Sequence, residues 1–355
     1  MKKNLRSSKR ILIFNVNWLG DVLFSTATIR NIRRNFPEGF IACCIPGRCY
    51  QVLEGNPYLD EIIVFDEKHS HKTIAGKIAF IRFLRAKQFD TVVFLHRSFS
   101  RALICRLAGI RNRVGYVTRK RGFLLTEKIP SPDPHTLHRI EYYLEVIKGA
   151  GFRVDSKHLD FPVSARDRRL SDDFLAHHEI EGDDRFIVLN PGGNWLPKRW
   201  PLWKWAALAD RISAELGEKV VFTGAGKDQP LVEKIIKQMR SSAISACGEL
   251  NLKQLAALAQ RSDVFITGNS GPLHIANAAG ASRIIALFGP TSPGLTGPYP
   301  LDNAIIIQKS VGCPVPCYQQ TCKGHRCMQA ISVDEVFEKV KHSLENQKDS
   351  FYNPE

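Results

Sequence analysis

Residues 11–24 read ILIFNVNWLGDVLF, and this stretch sets the architecture. Ile11–Val16 is an apolar run of strand length, Asn17-Trp18-Leu19-Gly20-Asp21 is a turn, and a helical period follows over Asp21–Asn35. Outward from it the same unit recurs. Further strands are expected at Phe40–Ile45, Glu61–Phe65, Thr91–Leu95 and Arg113–Tyr116, with helices near Ile74–Ala86, Phe99–Ala108 and His135–Gly149. The pattern then starts again, with strands near Phe186–Asn190, Lys219–Thr223, Ala243–Ala246, Val264–Thr267 and Ile284–Phe288. Helices there are expected over Leu202–Leu216, Gln229–Met239, Leu252–Gln260 and Pro272–Ala279, with a last one at Ser332–Leu344. Short apolar strands alternating with helices build parallel βαβ units, so the chain reads as α/β, two Rossmann-like doubly wound domains facing a central cleft.

The polar segment Phe152–Asp184, containing Pro162 and a short helix near Leu170–His177, is read as the linker. The domains are then residues 1–164 and 165–355. A length of 355 residues suits two domains, and 44% hydrophobic with 24% charged residues is a globular balance. The basic start followed by Ile11–Val16 is too short for a secretory signal and lacks a small-residue cleavage site. No apolar run approaches the ~18 residues of a spanning helix. The expectation is a cytoplasmic protein.

The net charge of +15 is uneven, with 28 Lys and Arg against 14 Asp and Glu in residues 1–160 and near balance beyond. A basic half suits an anionic partner, either phosphorylated glycolipid at a membrane or nucleic acid; a solvated surface is the plainer reading. No helix-turn-helix, zinc-finger or RNA-recognition pattern is present, so no nucleic acid is expected. Nine cysteines without an export signal are expected to be reduced.

The ligand end of a doubly wound sheet lies past the carboxyl ends of its strands. The turn after the first strand holds only Gly20 of a Gly-x-Gly-x-x-Gly fingerprint, which argues against a dinucleotide there and leaves Asp21 as a carboxylate that either does chemistry or caps the helix. His96-Arg97-Ser98 follows the fourth strand, and Arg97 and Arg113, read as flanking strands at the ligand end, suit an anionic acceptor. In the second half Asn190-Pro191-Gly192-Gly193-Asn194, followed by Lys198-Arg199-Trp200-Pro201, offers backbone amides and a cation to a phosphate. Thr223-Gly224-Ala225-Gly226-Lys227-Asp228 borders a ribose or base, or is only a tight turn. Ser270-Gly271-Pro272-Leu273-His274 reads as an N-cap and first helical turn, an anion site, with His274 either reaching a phosphate or belonging to the core. Phe288-Gly289-Pro290-Thr291 turns at the same rim.

Taken in order, Leu19-Gly20-Asp21, the Asn190 to Pro201 block, Ser270 to His274 and Phe288 to Thr291 resemble glycosyltransferase family 9, the lipopolysaccharide heptosyltransferases, with spacing closer to the heptosyltransferase II branch. The resemblance covers nearly the whole chain. It implies a GT-B fold with the acceptor on the first domain and an ADP-sugar on the second. Asp21 is then the general base of an inverting transfer, with Gly20, His96, Arg97 and Arg113 beside the acceptor. Lys198 and the amides around Ser270 and Gly271 are implied to stabilise the departing ADP. Gly193 and Asn194 match positions beside the phosphates, Asp228 a ribose-contacting acid and Leu250 an adenine-lining residue; Pro272 and His274 complete the donor set. The family usually has an acid before the Ser-Gly pair, and Asn269 stands there, which leaves donor choice open.

The implied reaction moves heptose from ADP-heptose to the inner core of lipopolysaccharide, with no further cofactor and with peripheral contact at the inner membrane. Another nucleotide sugar or acceptor is the alternative, and a basic nucleic-acid-binding protein the distant one. Cys313, Cys317, Cys322 and Cys327 surround His325; four thiols this close suit zinc, but paired Cys-x-x-Cys knuckles are missing, so a structural or redox-labile loop is preferred.

Overall fold

The computed structural model describes residues 3–350. The chain divides into two compact units, residues 1–161 and 162–355. Each holds one six-stranded parallel sheet flanked by helices.

In the first unit β1 (Arg10–Phe14), β2 (Phe40–Ile45), β3 (Glu61–Val64), β4 (Thr91–Phe94), β5 (Asn112–Tyr116) and β6 (Glu127–Ile129) lie in the order β3-β2-β1-β4-β5-β6. In the second, β7 (Phe186–Asn190), β8 (Lys219–Phe222), β9 (Ile244–Ser245), β10 (Val264–Gly268), β11 (Ile284–Phe288) and β12 (Ala304–Gln308) lie in the order β12-β11-β10-β7-β8-β9. Counted from each unit's first strand, both sheets have the 3-2-1-4-5-6 order of a doubly wound fold. The α/β class is therefore as the sequence predicted, and two doubly wound sheets are the architecture of GT-B glycosyltransferases. Helices cover both faces of a parallel sheet, so its strands are apolar throughout; β7 and β11 are buried at every residue.

The structure departs from the sequence reading at several elements. β6 and β12 were not expected: β6 is three residues with a lysine at its centre, and β12 follows a proline-rich turn. The helix expected over Asp21–Asn35 is two, Leu19–Phe24 and Thr26–Asn35. They break at Ser25, whose hydroxyl donates to Val22 O at 2.6 Å and accepts from Asn15 Nδ2 at 2.8 Å. The helix expected from His135 starts at Arg139, because Asp133 and His138 hold the preceding backbone in turns. The segment read as a linker contains the helix Ala165–His177, opened by a Ser164–Asp167 capping box, so Ser164 belongs to the second unit. Leu202–Leu216 is α-helical to Arg211 and then widens into a π-turn over Ile212–Leu216.

Candidate active site

The 3-2-1-4-5-6 order places the crevice of each unit where the strand order reverses, between β1 and β4 and between β7 and β10. Most of the candidate residues follow those strands, while Asp228 and Leu250 follow β8 and β9 and Arg113 lies in β5; each unit is described by itself.

In the first unit the loop after β1 is held from below by Arg101, only 3% exposed. Its guanidinium donates to Asn15 O at 3.0 Å, Asn17 Oδ1 at 2.7 Å and Glu67 Oε2 at 2.5 Å. A buried cation with a carboxylate and two loop acceptors fixes that loop firmly. Arg48 adds a donor to Asn17 O at 2.6 Å.

Above this base runs the short helix Leu19–Phe24, whose N-cap is Trp18. Asp21 is its third residue, not its cap, and stands one position after Gly20 near the positive end of the helix. Its Oδ1 accepts the Tyr143 hydroxyl at 2.9 Å. Burial, and then the charge of Asp21, push the Tyr143 phenol well above its ordinary range, so it remains a donor.

The loop after β4 brings His96 to the same place, with Nε2 3.4 Å from Asn17 Nδ2 and Nδ1 accepting from Ser98 N at 3.1 Å. Burial first, and Arg101 next, push His96 down to about 4, so the ring is neutral. Arg97 is exposed beside it and makes no side-chain hydrogen bond among the described residues. Arg121 is fully buried, donating to Tyr116 O at 3.0 and 2.7 Å and to His96 O at 2.6 Å; burial lowers it to about 10. It staples the end of β5 to the loop after β4.

Arg113 corrects the sequence reading. It lies at the amino end of β5, paired with Val92, on the opposite edge of the sheet from the ligand loops. Its guanidinium donates to Leu124 O and Ile110 O at 2.6 Å and to Arg111 O at 3.0 Å, a structural clasp. As the first residue of the strand expected over Arg113–Tyr116 it belongs at the amino end, away from the loops that follow the carboxyl ends.

In the second unit Asn190 ties three strand ends together. Its Nδ2 donates to Thr223 Oγ1 at 2.9 Å, and its Oδ1 accepts from Thr267 Oγ1 at 3.3 Å. Gly192 follows, and a Cβ there would stand 3.0 Å from Asp228 Oδ2, so the loop and this carboxylate pack directly. Asp228 also accepts from Ala225 N at 3.2 Å and is 8% exposed. Gly193 has φ +155°, strained for any side chain, and its carbonyl accepts from Arg199 Nε at 2.8 Å and Nη2 at 2.6 Å. Asn194 is exposed and paired with Lys227. Leu250 is partly buried against the core beneath β9 and β10.

Lys198 ends a short 3₁₀ turn and reaches across to the loop after β10, its Nζ 3.3 Å from Asn269 O and 5.5 Å from the Trp195 ring centre. Asn269 is 5% exposed and donates through Nδ2 to Thr291 Oγ1 at 2.8 Å and Thr296 Oγ1 at 2.9 Å. It thereby joins the loop after β10 to the one after β11. Ser270 occupies the N-cap of helix Gly271–Ala279, with Pro272 in the first turn, but its side chain accepts no capping hydrogen bond and sits 3.5 Å from Thr267 Oγ1. The amides at that helix start are thus not covered by their own cap, and Lys198 stands next to them. His274 is buried.

Cys313, Cys317, Cys322 and Cys327 line a cavity of about 320 Å³ together with Pro197 and Pro290. Among the described residues no three His, Cys, Asp or Glu side chains are grouped to hold a metal ion. Arg101, Tyr143, Asn15 and Thr296 are the residues that sequence reasoning missed; all act through contacts 10 or more positions away, which no local pattern announces.

Comparison with known proteins agrees with this fold. The family model for glycosyltransferase family 9 (heptosyltransferase) matches residues 77–327. Lipopolysaccharide heptosyltransferase 2 of Salmonella typhimurium is 28% identical over 346 residues, 94% of this chain and 98% of that protein. Lipooligosaccharide heptosyltransferase 2 of Haemophilus influenzae is 26% identical over 351 residues, 94% and 99% of the two chains. Among solved structures, a family 9 glycosyl transferase from Veillonella parvula has a TM-score of 0.83 at 28% identity, covering 95% of this chain and 98% of that one. The E. coli ADP-heptose lipopolysaccharide heptosyltransferase II shares the fold at a TM-score of 0.78 and 24% identity, covering 96% and 99%. With the family model matched over most of its length, the chain belongs to glycosyltransferase family 9.

Proposed function

We propose that the protein is an inverting glycosyltransferase that moves a heptose from ADP-heptose to the inner core of lipopolysaccharide. The observation that carries this reading is the placement of Lys198 at 3.3 Å from Asn269 O, beside the start of helix Gly271–Ala279. A lysine next to a helix N-terminus suits a diphosphate, and donors of this kind aimed at a leaving group stabilise the charge that grows on it.

In this reading the diphosphate lies on Gly193, Asn194, Lys198 and the amides of Ser270 and Gly271, with Asp228 toward the ribose and Leu250 toward the base. The acceptor lies against Gly20, His96 and Arg97. Asp21 removes the proton from the acceptor hydroxyl as the oxygen attacks the anomeric carbon; the bond to ADP breaks, and the configuration inverts. Tyr143 keeps the carboxylate oriented. A neutral His96 accepts or donates hydrogen bonds without adding a second cation beside Arg97. The names of the relatives support ADP-heptose and a lipopolysaccharide acceptor. A lipid-linked acceptor calls for work at a membrane surface, on the cytoplasmic side where nucleotide sugars are made. No helix of the described residues is long and apolar enough to cross a membrane.

Asn269 favours a second reading in which the same fold takes another nucleotide sugar, because the acid usual at that position is replaced by an amide. Calorimetric titration with ADP, UDP and GDP, followed by turnover with ADP-heptose, separates the two. Preference for ADP with heptose transfer is the expected result; preference for another nucleotide overturns the heptosyl reading and leaves the fold untouched.

A further inference from the structure

The basic excess of the first unit is concentrated. Residues 68–126 carry 14 Lys and Arg and a single acid, Asp90, which accepts from Lys9 N and Arg10 N at 2.7 and 2.9 Å. Part of this charge is internal, as with Arg101, Arg113 and Arg121. Others stand outside: Lys72, Arg82, Arg106, Arg111, Arg119 and Lys120 are exposed.

The same segment exposes apolar side chains. Helix Ile74–Ala86 buries Phe80 and Leu84 against the sheet, yet its outer side carries Ile74, 78% exposed, with Ile78 and Phe83. Phe99 and Leu107 stand out from helix Phe99–Leu107, and Phe123, 66% exposed, from the turn Gly122–Leu124, its ring 6.2 Å from that of Phe99. These three elements cover one face of the first sheet, because Phe80, Leu84, Ala102, Ile104 and Leu124 pack in one cluster with Leu12, Phe14, Val92 and Phe94. Their outer sides are therefore one surface, apolar residues interspersed with unpaired-sign cations. A helix that is apolar inside and outside is out of place in water unless something covers it.

An anionic bilayer fits both features. Isoleucines and phenylalanines enter the headgroup boundary while lysines and arginines meet lipid phosphates. Nucleic acid satisfies the cations but leaves Ile74, Ile78 and Leu107 in water. We propose that the outer face of helices Ile74–Ala86 and Phe99–Leu107 and turn Gly122–Leu124 docks on an anionic phospholipid bilayer. This deepens the lipid-linked acceptor of the proposed reaction, and its test is independent of the sugar.

The test is flotation of the full chain with vesicles of phosphatidylcholine alone and of equimolar phosphatidylcholine and phosphatidylglycerol. Binding to the anionic vesicles alone, weakened by salt, is expected. With roughly fivefold affinity per basic residue at such a surface, the triple variant Arg82→Gln/Arg106→Gln/Lys120→Gln loses about a hundredfold. Ile74→Ser/Phe123→Ser loses about tenfold or more. Both variants keep the wild-type melting temperature and wild-type turnover on detergent-dispersed acceptor. Equal binding to both vesicles, unchanged binding of the triple variant, or tighter binding to duplex DNA or RNA than to anionic vesicles overturns the proposal. Vesicle binding by a protein that fails to bind ADP supports the docking face and sinks the transfer reading instead.

Discussion

The phenol of Tyr143 donates to Oδ1 of Asp21 at 2.9 Å, joining residues 122 positions apart. Tyr143 is on helix Arg139–Gly149, which follows the last strand of its sheet, while Asp21 follows the first. The helix packs on Leu19–Phe24 and Thr26–Asn35, so a phenol raised well above its ordinary range is delivered as a donor to the carboxylate of Asp21.

Asp21→Asn is expected to lower kcat by about 10²–10⁴-fold, the usual size of general-base catalysis, with the ADP dissociation constant unchanged. Tyr143→Phe removes one hydrogen bond to a charged acceptor, about 1.5–3 kcal/mol, and should reduce kcat by about tenfold or more. The loss disfavours the carboxylate form, so the acid-side fall of the pH–rate profile moves to higher pH in this variant. Stopped assays across pH with calorimetry for ADP check both; an unchanged kcat in Asp21→Asn rules it out as the base.

The neutral ring of His96 predicts a particular acid response. Its folded value of about 4 is below the unfolded 6.5, with burial as the largest cause. The unfolded state then binds more protons, so His96 contributes stability that is complete above pH 6.5 and is lost as pH falls to about 4. His96→Asn should therefore lose less of its melting temperature between those limits than wild type does. Parallel curves would show that His96 does not titrate in this way.

Much of the fold was legible because parallel strands announce themselves as apolar runs, and ten of the twelve were placed from that signal alone. β6 was not, since its lysine breaks the run, nor was the break at Ser25, which depends on Asn15 from the strand below. The ligand loops were legible for a different reason: glycines, prolines and a few polar residues collect after strand ends. Partners were not. Arg121 stands in the basic run Arg119-Lys120-Arg121, yet its side chain turns inward to three carbonyl contacts, and Arg113 was counted at the ligand end although it opens its strand. Burial is a tertiary fact that one-dimensional spacing does not carry.

Asn269 donates to two threonine hydroxyls, and its backbone oxygen receives Lys198. Asn269→Asp keeps the volume but buries a carboxylate, and the Thr296 hydroxyl must leave Ser292 O to donate to it, so stability should fall by about 1–3 kcal/mol. The new negative charge lies on the residue whose backbone oxygen receives Lys198, and it weakens the pull of that ammonium on a diphosphate. ADP affinity is expected to fall about three- to tenfold, corresponding to ~0.7–1.4 kcal/mol. A tighter complex in titration calorimetry would mean that Lys198 is not a phosphate ligand.

The nine thiols separate into two groups with different chemistry. Burial pushes Cys43 up to about 12 and Cys49 to about 11, and Cys44 and Cys105 are raised too, so these inner thiols stay protonated and unreactive. Cys247 is likewise buried and pushed up to about 11. Cys313 is exposed, and Cys317, Cys322 and Cys327 line the cavity against Pro197 and Pro290 without forming a three-ligand group. A disulfide reagent should therefore titrate about four thiols in the native protein and all nine after denaturation. Dialysis against a chelator should leave turnover and melting temperature unchanged if the four cysteines form a structural or redox-labile loop. Protection of the four thiols that a chelator abolishes, with a lowered melting temperature restored by zinc, would instead assign the cavity to a metal and make its contact with Pro290, where Cys317 N donates at 2.7 Å, a metal-dependent support for Thr291 and Asn269.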